Sequence, residues 1–116
     1  VGAKYHQGEK EAILTYEMYT YRIKKYIGAY FAALNGVEAV IFTGGIGEND
    51  ILTRKLTCRN LDALGILLDE AANAEKNHPA TTVEIQAAGS KVKILVIPTN
   101  EELAIAEETY ELVKGV

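Results

Sequence analysis

Val37-Glu38-Ala39-Val40-Ile41-Phe42-Thr43-Gly44-Gly45-Ile46-Gly47-Glu48-Asn49-Asp50 is the stretch from which the rest of the 116-residue chain is read. Residues Val37 to Thr43 are mostly apolar and rich in β-branched or aromatic side chains, the pattern of a short buried strand. Gly44-Gly45 ends that strand. Asn49 or Asp50 can each cap free backbone N–H groups, so a helix is expected to start there. It would carry Ile51, Leu52, Leu56, Leu61 and Leu64 before Gly65 stops it. The order strand, glycine turn, helix belongs to an α/β chain.

Upstream, Ala12, Tyr16, Tyr19, Ile23, Tyr26, Tyr30 and Ala33 recur at spacings of four and three, which predicts a long helix from Glu9 to Leu34. Ile13, Tyr21, Ile27, Phe31 and Leu34 widen its apolar sector beyond one contact face. Six of the seven tyrosines lie between Tyr5 and Tyr30, and aromatics at helical spacing point to core or interface rather than to a ligand pocket. Arg22, Lys24 and Lys25 beside them read as a solvated strip.

Downstream, Ile66 to Asp69 forms a short extended piece and Glu70 to Pro79 a polar surface excursion. Thr82 to Gln86 alternates as a strand does, Gly89-Ser90 turns the chain, and Val92 to Ile97 is a second apolar strand stopped by Pro98, so a hairpin is expected. Thr99 with Glu102 forms a capping-box pattern for a last helix with Leu103, Ala106, Tyr110 and Val113 on one face.

Composition bounds the partners. With 48% hydrophobic residues the chain suits one core, and its net charge of -4 argues against nucleic acid as a partner. Its apolar runs fall far short of the roughly 20 residues a bilayer-spanning helix needs. The single Cys58 and the lack of a signal-peptide pattern make a reducing cytoplasm the expected compartment. The Val1-Gly2-Ala3 start, with Met18 the one methionine, is expected of a piece of a longer protein, and processing or tag removal would produce the same start.

Two segments hold the candidate chemistry. A strand that feeds glycines into a helix places backbone N–H groups beside the positive end of the helix dipole, which suits a nucleotide; Glu48 and Asn49 offer polar contacts. It is neither a Walker loop, lacking Gly-Lys-Ser/Thr, nor a Rossmann fingerprint, since Asp50 stands where a third glycine or alanine belongs. From pattern alone, ligand loop and tight structural turn both fit. The second segment is Pro98-Thr99-Asn100-Glu101-Glu102 at the end of a buried strand, where a carboxylate could hold Mg²⁺ through water. Acids in a first helical turn also stabilise the dipole without any ligand. The capping box accounts for Glu102, which leaves Asn100 and Glu101 as the functional candidates. His6 and His78 read as surface residues, Cys58 as an idle thiol and Arg54 as a solvated helix arginine, its alternative being a reach toward an anion.

Taken in order, Ala29-Tyr30-Phe31-Ala32-Ala33-Leu34, the segment Phe42 to Asn49, Leu64-Gly65-Ile66 with Asp69 and Asn73, and Val96-Ile97-Pro98-Thr99-Asn100-Glu101-Glu102-Leu103 closely resemble the C-terminal part of the acetate and propionate kinase family. The resemblance runs through almost the whole chain. It implies an α/β, RNase H-like fold of the acetate and sugar kinase/Hsp70/actin kind, a mixed sheet with packed helices. Residues 1–116 would be part of the C-terminal nucleotide-binding half, in a protein whose two halves close around ATP. It further implies that Gly44, Gly45, Ile46, Gly47 and Asn49 bind adenosine, that Glu101 helps position Mg²⁺ beside the phosphates, and that the intact enzyme moves the γ-phosphoryl group of ATP reversibly to acetate, giving acetyl phosphate and ADP. ATP or ADP and a short-chain carboxylate would then be the partners, and a homodimer would form through this half, with Tyr19 and Tyr26 as contacts. The family's transition-state arginines, active-site aspartate and histidine, and acyl pocket lie upstream of these residues, so no catalytic residue is assigned and the chain alone is expected to be inactive. Propionate kinase shares the motifs, and a non-catalytic nucleotide-binding or interaction module is the reading from another class. Asp50 and Gln86 stand where the family commonly has serine.

Overall fold

The computed structural model describes residues 2–75, 79–99 and 101–115, without the side chains of Glu101 and Glu102. In chain order the elements are α1 (Gly2–His6), α2 (Lys10–Ala33), β1 (Ala39–Phe42), α3 (Gly44–Asn49), α4 (Ile51–Cys58), a 3-10 turn (Asp62–Leu64), α5 (Glu70–Glu75), β2 (Val83–Glu84), β3 (Lys93–Val96) and α6 (Glu101–Val113). The sheet has the order β1-β3-β2. β1 pairs parallel with β3, Ala39 opposite Lys93 and Phe42 opposite Val96, while β2 pairs antiparallel with β3. This is a mixed sheet with packed helices, as expected.

Apolar residues of the sheet, of α2 and of α4 meet around β3. Ile94, Val96, Ile85, Val92 and Ile66 are buried with Phe42 and Cys58, and Ile27 and Phe31 of α2 pack against them. Burying such side chains contributes roughly 1.5–3 kcal/mol each, the main favourable term in a small domain. The expected hairpin is present: Ile85 N–H donates to Ile94 O at 2.8 Å, and the Gln86 side chain extends the ladder by accepting from Ile94 N–H at 3.0 Å.

α2 matches the long helix predicted from spacing. Its threonines satisfy their hydroxyls within the helix, Thr15 on Glu11 O and Thr20 on Tyr16 O, both at 2.7 Å. Ala12 and Thr20 are its buried residues, and α2 lies against α4. Tyr21, Tyr26, Tyr30 and Met18 remain exposed. The helix ends where Asn35 and Gly36 take positive φ and Gly36 N–H reaches Phe31 O at 2.8 Å.

Three expectations are corrected. The glycines form a short helix of their own, α3, and not a turn. α4 stops at Cys58, so Leu61 and Leu64 lie beyond it, in the bend and 3-10 turn that Gly65 closes at φ +77°. The polar excursion contains α5, anchored by Asn73, which is buried. Thr99 donates to Glu48 across the fold and α6 begins two residues later; the side chain of Glu102, its partner in the expected capping box, lies outside the described residues.

Candidate functional site

Because β1 and β3 run parallel, the segments that follow them leave the sheet at the same edge, where ligand residues gather in α/β proteins. Three cross-links hold the segments together. Ile97 N–H donates to Phe42 O at 3.0 Å, Thr43 Oγ1 donates to Ile97 O at 2.6 Å, and Glu48 Oε2 accepts from Thr99 N–H at 3.3 Å and Thr99 Oγ1 at 3.1 Å. The glycine segment and the Pro98-Thr99 segment, far apart in sequence, are therefore neighbours.

Gly44, Gly45, Ile46, Gly47 and Asn49 all lie on α3, with Gly45, Ile46 and Asn49 exposed. Gly47 is needed for close approach: a Cβ there would stand 3.1 Å from the backbone carbon of Phe42. At Gly45 a Cβ would meet nothing within 4 Å. The fold thus requires the third glycine and leaves the second open. A cavity of about 530 Å³ runs from Gly45, Ile46 and Thr43 to Tyr19, Ile23 and Ile27 of α2.

Glycine is a poor helix former, so α3 needs support from outside. Arg54 supplies it. Its side chain is fully buried, its Nη1 donates to Gly47 O at 2.9 Å and Glu48 O at 3.0 Å, its Nε donates to Asn73 Oδ1 at 2.6 Å and its Nη2 to Asn73 O at 3.2 Å. Asn73 Nδ2 donates to Ile51 O at 3.1 Å. Burial pulls the guanidinium below the usual arginine value, with Asp50 opposing. The solvated arginine expected from sequence is therefore a buried strut under the terminal carbonyls of α3. No local pattern marked it, since Asn73 is 19 residues away.

Asp50 caps α4 as expected, its Oδ1 accepting from Leu52 N–H at 3.1 Å and Thr53 N–H at 3.3 Å. Its Oδ2 accepts from Thr53 Oγ1 at 2.8 Å and from the Tyr16 hydroxyl at 3.1 Å. Burial and this carboxylate together push the Tyr16 phenol above its ordinary pKa. Cys58 is buried, and that burial raises its thiol to about 12, an inert group as expected.

Glu101 opens α6, but its side chain, like that of Glu102, lies outside the described residues, as do Asn100 and His78. Among the described residues no three His, Cys, Asp or Glu side chains cluster to hold a metal. The oxygen atoms described at this edge are hydrogen-bonded to one another, Thr43 Oγ1 to Ile97 O and Thr99 Oγ1 to Glu48 Oε2. Among the described residues no helix is long and apolar enough to cross a membrane.

The family model described as the Acetokinase family matches residues 1–107. A protein named acetate kinase from Nitratidesulfovibrio vulgaris (strain DP4) is 54% identical over 108 residues, covering 93% of this chain and 26% of that protein. The crystal structure of Porphyromonas gingivalis acetate kinase superposes with a TM-score of 0.80 at 40% identity, over 97% of this chain and 28% of that one. A propionate kinase structure from Francisella tularensis gives 0.79 at 34% identity, over 92% and 26%. The chain thus spans about a quarter of the length of the curated relatives it matches.

Proposed function

This chain belongs to the acetokinase family, and on that premise we propose that it is the nucleotide-facing part of a longer enzyme that transfers the terminal phosphoryl group of ATP reversibly to acetate, giving acetyl phosphate and ADP. The observation that carries this reading is the meeting of the Thr43-to-Glu48 glycine segment with the Ile97-to-Thr99 segment at one edge of the sheet, through Thr43 on Ile97 and Glu48 on Thr99. In this proposal residues 1–116 are part of the C-terminal nucleotide-binding domain, Gly44, Gly45, Ile46, Gly47 and Asn49 form the adenosine-binding segment, and Glu101 holds Mg²⁺. Bound there, the ion would neutralise phosphate charge. The chain's own part is positioning: the open backbone at Gly45 lets a ligand approach, and the Arg54 strut keeps the segment from shifting.

Acetate is the proposed acceptor because the relatives at about half identity carry that name, while the propionate kinase superposes almost as well as the acetate kinase. The same proposal includes a cytoplasmic protein that forms a homodimer through the exposed tyrosine face of α2. Turnover of the intact protein across a Mg²⁺ titration, for parent, Glu101→Ala and Glu102→Ala, tests the assignment. Glu101→Ala should cut turnover strongly and raise the Mg²⁺ requirement. Glu102→Ala should cost on the order of 1 kcal/mol or less of stability and little rate. Equal activity loss in both, or an unchanged Mg²⁺ dependence in the Glu101 variant, removes the metal role from Glu101.

A further inference from the structure

Glu48 is the acidic residue of the glycine segment, and it is gripped from both sides. Its backbone carbonyl accepts from Arg54 Nη1 at 3.0 Å, on a guanidinium that also holds Asn73, while its side-chain Oε2 accepts from both the N–H and the hydroxyl of Thr99. A continuous chain of hydrogen bonds thus runs from α5 through Arg54 and Glu48 to Thr99, two residues before α6 begins. The other links at this edge, Phe42 to Ile97 and Thr43 to Ile97, fix the end of β3 but stop short of Thr99.

We infer that Glu48 is a positioning residue: its carboxylate holds Thr99, and with it the first turn of α6, in place against the glycine segment, so that ligand contacts made by the two segments are energetically coupled. The inference rests on the proposed nucleotide site. It assigns Glu48 to the protein and not to the ligand, although its charge and place in the segment would equally suit a ligand contact. The two roles differ in what they require. Holding Thr99 needs an acceptor oxygen, which glutamine retains, whereas a direct contact with a cation needs the charge.

The test is calorimetric titration of ADP, with and without Mg²⁺, into the intact protein carrying Glu48→Ala, Glu48→Gln or Thr99→Val, beside amide hydrogen exchange over residues 103–108 without ligand. In Glu48→Ala the gain in ADP affinity on adding Mg²⁺ should shrink by at least about fivefold, the scale of coupling between linked sites, and exchange at the start of α6 should rise. Glu48→Gln should restore most of both. Thr99→Val, which removes only the exposed hydroxyl, should give a partial loss and serves if Glu48→Ala does not fold. A Glu48→Ala or Thr99→Val protein with the parent's Mg²⁺ gain and exchange overturns the inference, as does a Glu48→Gln protein as impaired as Glu48→Ala. A parent that binds no ADP overturns the functional reading instead, and the exchange comparison then decides alone whether Glu48 holds α6.

Discussion

Arg54 Nε donates to Asn73 Oδ1 at 2.6 Å, joining α4 to α5 beneath the last carbonyls of α3. Both residues are buried, so their hydrogen bonds are made without competition from water, and loss of either leaves polar groups without partners in the interior.

Arg54→Leu should therefore destabilise the intact protein by roughly 3 kcal/mol or more, through lost charge-assisted bonds and stranded carbonyls. Asn73→Ala should cost about 2–3 kcal/mol, and Asn73→Asp less, because a carboxylate still accepts from the guanidinium. Urea unfolding measures all three. An Arg54→Leu protein with the parent's midpoint would show that the strut carries no stability.

Gly45→Val and Gly47→Val separate binding from folding. A Cβ at Gly45 meets open space, so this variant should fold and lose ADP affinity by tenfold or so, about 1.4 kcal/mol. At Gly47 the side chain runs into the Phe42 backbone, and the thermal midpoint should fall first. Unchanged nucleotide affinity in a folded Gly45→Val protein would make the segment structural only.

The tyrosine face of α2 yields a prediction about assembly. Tyr26 and Tyr30 stack with ring centroids 6.5 Å apart and stand 59% and 62% exposed, with Met18 at 64% nearby, an apolar surface suited to burial against a second copy. Tyr26→Glu, and Tyr19→Glu beside it, should shift the intact protein from dimer toward monomer in sedimentation at micromolar concentration. A parent that already sediments as a monomer would end this proposal.

Cys58 gives a pH signature. Its thiol rises from 9.0 to about 12 in the folded chain, so the native state keeps a proton that the unfolded state releases. The stability associated with it is fully present below about pH 9 and lost as pH climbs toward 12. Denaturation midpoints of parent and Cys58→Ala proteins should converge over that window, and the native thiol should resist alkylation at pH 8 until denaturant is added. Fast alkylation of the folded protein would contradict its burial.

Much of this architecture is legible from local pattern. α2 shows itself in its three-and-four spacing, β1 and β3 in their apolar runs, and the hairpin in Gly89-Ser90, because each is set mainly by neighbours in sequence. Features that depend on distant partners are not. α3 is glycine-rich and reads as a turn until Arg54 is seen to hold its end. Asn73, between alanines in a polar stretch, gives no sign of burial, because the group that buries it comes from α4. Thr99 satisfies a capping rule locally, yet its hydroxyl donates to a carboxylate 51 residues upstream. The candidate site residues were legible as a glycine segment and an acid pair; the struts that tie them together were not.

The parallel pairing of β1 with β3 also bears on synthesis. Thr43 and its partner Ile97 are 54 residues apart, and among the described residues no strand made between them shields the edge of β1 that β3 occupies. A ribosome adding about 5–20 residues per second takes several seconds to cross that interval. Throughout it, Ala39-Val40-Ile41-Phe42, an uncharged β-prone run, has no partner strand among the described residues already made. That interval leaves the edge of β1 open to aggregation, and translation that stalls before Lys93 would release a product lacking the strand with which β1 pairs.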